Sequence, residues 1–231
     1  MFCLRNRLIG LFYRAGALAL MIACLYFFWQ TFEFQYAPLA FYVILSGILY
    51  IVLLVLNLVF NAIDMRRGIH GLPSSTYLPV ATAMWCYAMS AGLLGLAYHL
   101  PFGLTHAEGA SFAQPWSIAY YAVLLVLPSV EWLLFAEKGG IRPFSAWTWL
   151  AFPILYIIFI LFRAIIWPEN PVYGTEMYAL PWLNPDMDEN PLFFLWLFLA
   201  LAALYAFFML IIFLGKVLGG QYKKKDILDV N

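Results

Sequence analysis

The sequence predicts an all-α fold: an integral membrane bundle of six transmembrane helices. Three observations carry this. Hydrophobic residues make up 65% of the 231 and charged residues only 10%, against about 25% charged in a globular chain. The apolar residues gather into six runs, at about 8–30, 38–63, 76–100, 115–136, 145–167 and 191–214. Each has the ~20 residues that a helix needs to cross a bilayer core. The basic residues of the gaps alternate by side. Arg5 and Arg7 precede the first run, Arg66 and Arg67 follow the second, Lys138 and Arg142 follow the fourth, and Lys216 and Lys223 to Lys225 follow the sixth. The first, third and fifth gaps carry no Lys or Arg, and the fifth carries Glu169, Glu176, Asp186, Asp188 and Glu189. By the positive-inside rule both termini are cytoplasmic.

These runs leave no room for a separate soluble domain, so residues 1–215 read as one six-helix domain and 216–231 as a basic cytoplasmic tail. Apolar helices suit an inner or plasma membrane, since outer-membrane proteins are typically barrels. The net charge of zero gives no argument for nucleic acid. Cys3, Cys24 and Cys86 make no disulfide framework, and no CxxC, HExxH, GxSxG or Gly-rich phosphate loop occurs.

Taken in order, the first run carries Arg14 just inside its start. Its Met21-Ile22-Ala23-Cys24 resembles a lipoprotein cleavage site, but the apolar run continues beyond it, as a span does. In the second run Val43, Tyr50, Asn57 and Asp64 recur every seven residues, so they share one helical stripe, with Ser46 beside Val43. A polar stripe in lipid must face other helices, and Asn57 is expected to bond one. The third run holds Ala91, Gly92 and Gly95, small residues that let helix backbones approach in lipid. It closes on His99, with His106 beyond. Two histidines are too few for a zinc site, so neither a metal nor another cofactor is expected.

In the fourth run Tyr121, Pro128 and Trp132 share a side, and Glu131 lies near the cytoplasmic end. Glu131 is expected to bond nearby backbone, to hold a proton, or to reach the cytoplasm. Pro128 and, in the fifth run, Pro153 each remove a backbone hydrogen bond and predict kinks. Trp149, Tyr156 and Arg163 again recur every seven residues. Arg163 sits ~6 Å inside the outer edge at the helical rise. It either snorkels to the headgroups or binds an anionic group inside the bundle. The sixth run is apolar until the Lys-rich tail.

One block, residues 116–185, resembles a known family. The string YYAVLLVLPSVEWLLFAEKGGIRPFSAWTWLAFPILYIIFILFRAII, followed after a gap by YALPWLNP, is similar to the bacterial branch of the androgen-induced six-span membrane proteins. The matching residues are Glu131 to Phe135, Trp149 to Pro153 with Tyr156, Arg163, and Tyr178 with Pro181 to Asn184. The resemblance implies six spans, cytoplasmic termini and an intramembrane hydrolase of hydroxy-fatty-acid esters with a Thr nucleophile and a His. Here Val43 stands at the Thr position and Tyr121 at the His position. Valine has no hydroxyl, and a phenol with a pKa of about 10 is a poor base at neutral pH.

The expectation is therefore a non-catalytic or catalytically altered relative of lipid-ester hydrolases. A cavity near the outer leaflet would hold a membrane lipid or fatty-acid-derived ligand. Its expected lining is Val43, Ser46, Tyr50, Asn57, His99, Tyr121, Tyr156 and Arg163. One alternative is an active hydrolase in which Ser46 and His99 substitute for the missing pair. The other is a structural or partner-binding subunit, for which the sequence names no protein partner.

Overall fold

A bilayer core offers no water, so each backbone N–H and C=O has to bond within the chain, and a helix achieves this segment by segment. The computed structural model describes residues 6–31, 41–69, 77–105, 112–167, 178, 183–186 and 190–228. Arg5, Cys3, His106, Glu169, Glu176, Pro181, Trp182, Asp188 and Glu189 lie outside them. The helices are α1 (Arg7–Gln30), α2 (Tyr42–Arg66), α3 (Leu78–Leu94), α4 (Leu100–Thr105), α5 (Pro115–Phe135), α6 (Ser145–Trp149), α7 (Ala151–Ile166) and α8 (Phe193–Leu228). No strand occurs among the described residues. Six helical stretches are long and apolar enough to cross a membrane: Arg7–Gln30, Tyr42–Arg66, Leu78–His99, Pro115–Phe135, Ser145–Ile166 and Phe193–Gly219.

Local sequence explains where these helices start and bend. The Asn6 side chain caps α1, accepting from the N–H groups of Leu8 and Ile9. Pro115 opens α5, where a missing N–H costs nothing. Pro101 cannot donate to the carbonyl four residues back, and its ring crowds that carbonyl. Just before it, α3 widens into a π-helical turn, Gly95–His99, and the Leu100 N–H bonds Gly95 O. Pro153 acts likewise on the fifth span, which breaks at Leu150 into α6 and α7. The carbonyl that a non-proline at 153 would have bonded is that of Trp149. It accepts instead from the Tyr87 hydroxyl of α3, at 2.8 Å. Beyond the expected end of the sixth span at 214, α8 continues through the basic tail to Leu228.

Helix α3 sits at the centre. Its residues Ala81, Thr82, Trp85, Cys86, Ala88 and Ala91 are all fully buried. Its small residues let α5 come close: a Cβ on Gly92 would lie 2.7 Å from Leu125 N and 2.8 Å from Tyr121 O, and one on Gly95 would enter the Tyr121 ring. Gly47 of α2 gives the same room to the Tyr120 hydroxyl.

One face of the bundle gathers the basic ends. Arg7 Nη1 pairs with Asp64 Oδ2 at 2.9 Å, and Asn61 donates to the Arg7 carbonyl. Lys138 lies over the Trp132 ring and donates to the Trp132 carbonyl. Gly139, at φ 87°, packs beside Gly219 of α8. This is the basic face; the opposite one is the far face.

Candidate functional site

The polar stripe of α2 turns inward, and one carboxylate collects it. Glu131 of α5 is fully buried, as are Arg14 of α1, Asn57 and Tyr50 of α2, and Trp85 of α3. Arg14 Nε donates to Glu131 Oε1 at 2.9 Å, and Asn57 Nδ2 reaches the same oxygen at 3.3 Å. The Tyr50 hydroxyl and Trp85 Nε1 each donate to Oε2 at 3.1 Å. Arg14 Nη1 also donates to the Asn57 carbonyl at 3.3 Å. A carboxylate offers about four acceptor positions and no donor, and four donors from three helices occupy them. Such saturation leaves no free lone pair for a substrate or for proton traffic, so the centre ties α1, α2, α3 and α5 together.

Two expected readings of Glu131 are corrected here: its carboxyl meets neither nearby backbone nor solvent but four side chains, one of them a cation on the first helix. The signal was present in the sequence. Arg14 and Glu131 lie at similar depths from the basic ends of their runs, and opposite charges at one depth in lipid seek each other.

Toward the far face a second cluster is aromatic. His99, 2% exposed, ends the π-helical turn. Its ring lies 4.9 Å from that of Phe112, 5.7 Å from Phe41 and 6.3 Å, roughly parallel, from Tyr121. Tyr121 and its hydroxyl are buried without a hydrogen-bond partner. Val43 is buried and contributes its carbonyl, which accepts from Tyr120 at 3.3 Å. Ser46 Oγ lies beside the Tyr42 hydroxyl but in no hydrogen-bonding geometry. Ser46 and His99 therefore form no hydroxyl–imidazole bond, which a nucleophile–base pair would need. Tyr121 and His99 share a cluster, as their depths in the sequence suggest.

The third feature is a cavity of about 340 Å³ between α3, α7 and α8, in the half of the bundle toward the far face. Leu93, Leu94 and Ala97 form one wall, Pro153, Tyr156 and Ile157 a second, and Ala200 to Phe207 a third. Leu183, from the connection before α8, closes one side and is itself fully buried. Leu93, Ala97 and Ala203 are exposed, so the cavity opens sideways through the bundle wall. Tyr42, Ser90 and Tyr156 bring the lining's side-chain hydroxyls. The Tyr156 hydroxyl meets the backbone of Tyr42, and their rings lie 5.3 Å apart.

The eight residues singled out in the sequence thus separate into five places. Tyr50 and Asn57 belong to the Glu131 centre. His99 and Tyr121 stack together, and Val43 and Ser46 are buried on α2. Tyr156 alone of the eight lines the cavity, and Arg163 is partly exposed in the last turn of α7. Sequence reasoning missed the lining from α3 and α8. Those residues are Leu and Ala with one Ser and one Phe, which look like any span. No protein-family profile, curated protein or solved structure matches the chain.

Proposed function

We propose that this multi-pass membrane protein is a non-catalytic relative of the six-span lipid-ester hydrolases. In this reading it holds a membrane lipid by an acyl chain in the cavity between α3, α7 and α8. The cavity carries the proposal. Its volume of about 340 Å³ falls within the ~300–1,000 Å³ of small-molecule sites. Its walls are apolar side chains with a few hydroxyls, the composition of such sites. It opens between spans, where the surrounding medium is lipid itself. The absence of catalysis rests on Val43 and Tyr121, which offer neither a nucleophilic oxygen nor a neutral-pH base, and on the separation of Ser46 from His99.

We place the protein in an inner or plasma membrane with both termini cytoplasmic, on the alternation of basic gaps. Native mass spectrometry of the purified protein tests the reading. A lipid should be retained by the wild type and lost from Ala203→Trp, which fills the opening. Retention unchanged in that variant would overturn the proposal. Turnover of a hydroxy-fatty-acid ester that disappears in Ser46→Ala or His99→Ala would replace it with the hydrolase.

A further inference from the structure

The three walls of the cavity are held with unequal firmness. The α3 wall is fixed against α5, where a Cβ on Gly92 would lie 2.7 Å from Leu125 N. The α7 wall is tied to α2: Pro153, Tyr156 and Ile160 are buried, and the Tyr156 hydroxyl accepts from the Tyr42 backbone. The α8 wall has neither kind of tie. From Phe194 to Phe207 no residue is buried, although Ala200, Leu201, Ala203, Leu204 and Phe207 line the cavity. Among the described residues, no side-chain hydrogen bond or ion pair between Phe193 and Gly219 reaches another helix.

What holds α8 lies mostly in its basic half. Phe208 is fully buried, its ring 5.9 Å from those of Tyr87 and Trp149. Ile211 and Ile212 are buried, and Gly219 lies against the backbone of Lys138 and Gly139. Toward the far face, Phe193 alone of the described α8 residues is buried. Few buried contacts mark a segment of low local stability. The medium adds little resistance. Lipid tails are as apolar as leucine, so parting α8 from its neighbours forfeits packing but meets no hydrophobic penalty. The existing opening at Leu93, Ala97 and Ala203 runs along this same seam between α3 and α8.

We infer that the far half of α8 is the gate of the cavity: it pivots on Phe208, releases Phe193, and swings away from α3 and α7 to let a chain enter from the bilayer. This rests on the acyl-chain reading above. Two measurements test it. Full-length protein with Cys3, Cys24 and Cys86 replaced by alanine is spin-labelled at exposed sites in two pairs between α5 and α8. Ile118→Cys with Leu199→Cys reads the far half, and Leu133→Cys with Val217→Cys the basic half. In nanodiscs the far pair should show the broader distance distribution, by about 1–2 Å or more, the scale on which packed helices shift. The second measurement follows entry and release of lauroyl-lysophosphatidylcholine, which has one acyl chain, on the protein in amphipol. Phe193→Ala removes the far anchor without altering the lining. Entry and release should then quicken together, by about tenfold, with the affinity unchanged. Phe193→Leu should restore the wild-type rates.

A far pair no broader than the basic pair overturns the gate. So does a Phe193→Ala variant that changes affinity and leaves the entry rate alone; the chain site then stands, provided that Ala203→Trp still blocks the lysolipid. Failure of the lysolipid to bind the wild type overturns the chain site and the gate together. Both label pairs keep Phe193, so they read the gate even where Phe193→Ala does not fold.

Discussion

Replacing Glu131 by Gln is the most revealing single perturbation of this fold. It leaves the shape nearly unchanged but strips the counter-charge from Arg14, whose side chain is 0% exposed. Breaking a buried ion pair from one side costs about 3–5 kcal/mol, because the remaining charge is left uncompensated. The amide also turns an NH2 group toward donors that met an oxygen, orphaning up to two of the four contacts. Arg14→Met is expected to cost a similar amount through the unpaired carboxylate. In the double variant both charges are gone and the amide oxygen still accepts part of the donor set. Its cost is then the orphaned donors alone, ~1–3 kcal/mol each in soluble proteins and less in membranes, where such bonds average ~0.6 kcal/mol. The double variant should thus be no less stable than either single one, whereas independent sites would sum to ~6–10 kcal/mol. Denaturation in mixed micelles gives the readout, with unfolding followed by thiol labelling of Cys24 and Cys86, both free and buried. The reasoning fails if the two single costs simply add, or if Glu131→Gln lies within ~1 kcal/mol of the wild type.

Four other substitutions probe the packing by the same assay. Gly95→Ala drives a methyl into the Tyr121 ring and should cost about 1–3 kcal/mol, as overpacking does; Gly16→Ala, with open space around it, should cost nothing measurable. Tyr87→Phe leaves the Trp149 carbonyl without its 2.8 Å donor at the break before Pro153, for a loss of about 1 kcal/mol. Asp64→Asn removes the partner of Arg7 at the basic face, where the two side chains are 12% and 26% exposed. Solvent screening there limits the loss to about 1 kcal/mol or less, and added salt should shrink it further.

The spans were legible because length and apolarity dictate them directly. Leu8–Gln30 in the sequence became Arg7–Gln30 in space, and the break near Pro153 follows from proline's missing donor. The stripe of Tyr50, Asn57 and Asp64 was legible as a face, since seven residues make nearly two helical turns. What it faced was not, because helix order around a bundle is set by packing that no single periodicity encodes. Arg14 and Glu131 are separated by 117 positions, and matched depth was the one clue that linked them. The cavity was harder still. A void is made by what three helices fail to fill, and Ala200 or Leu93 read the same whether they touch a neighbour or line a gap. Arg163, conspicuous as a charge in a run, proved to be partly exposed at a helix end.

The separation of Arg14 from Glu131 also sets a waiting time during synthesis. Translation at about 5–20 residues per second delivers Glu131 roughly 6–23 s after Arg14. An arginine at the centre of a span raises its insertion cost by about 2.5–3.5 kcal/mol and one nearer the end, as Arg14 is, by less; neither α2 nor α3 brings a carboxylate to it. During this interval the guanidinium can extend along its own side chain toward the headgroups, and its pair with Glu131 forms only when α5 arrives. A chain truncated before Glu131 keeps an apolar first span whose arginine lacks that partner.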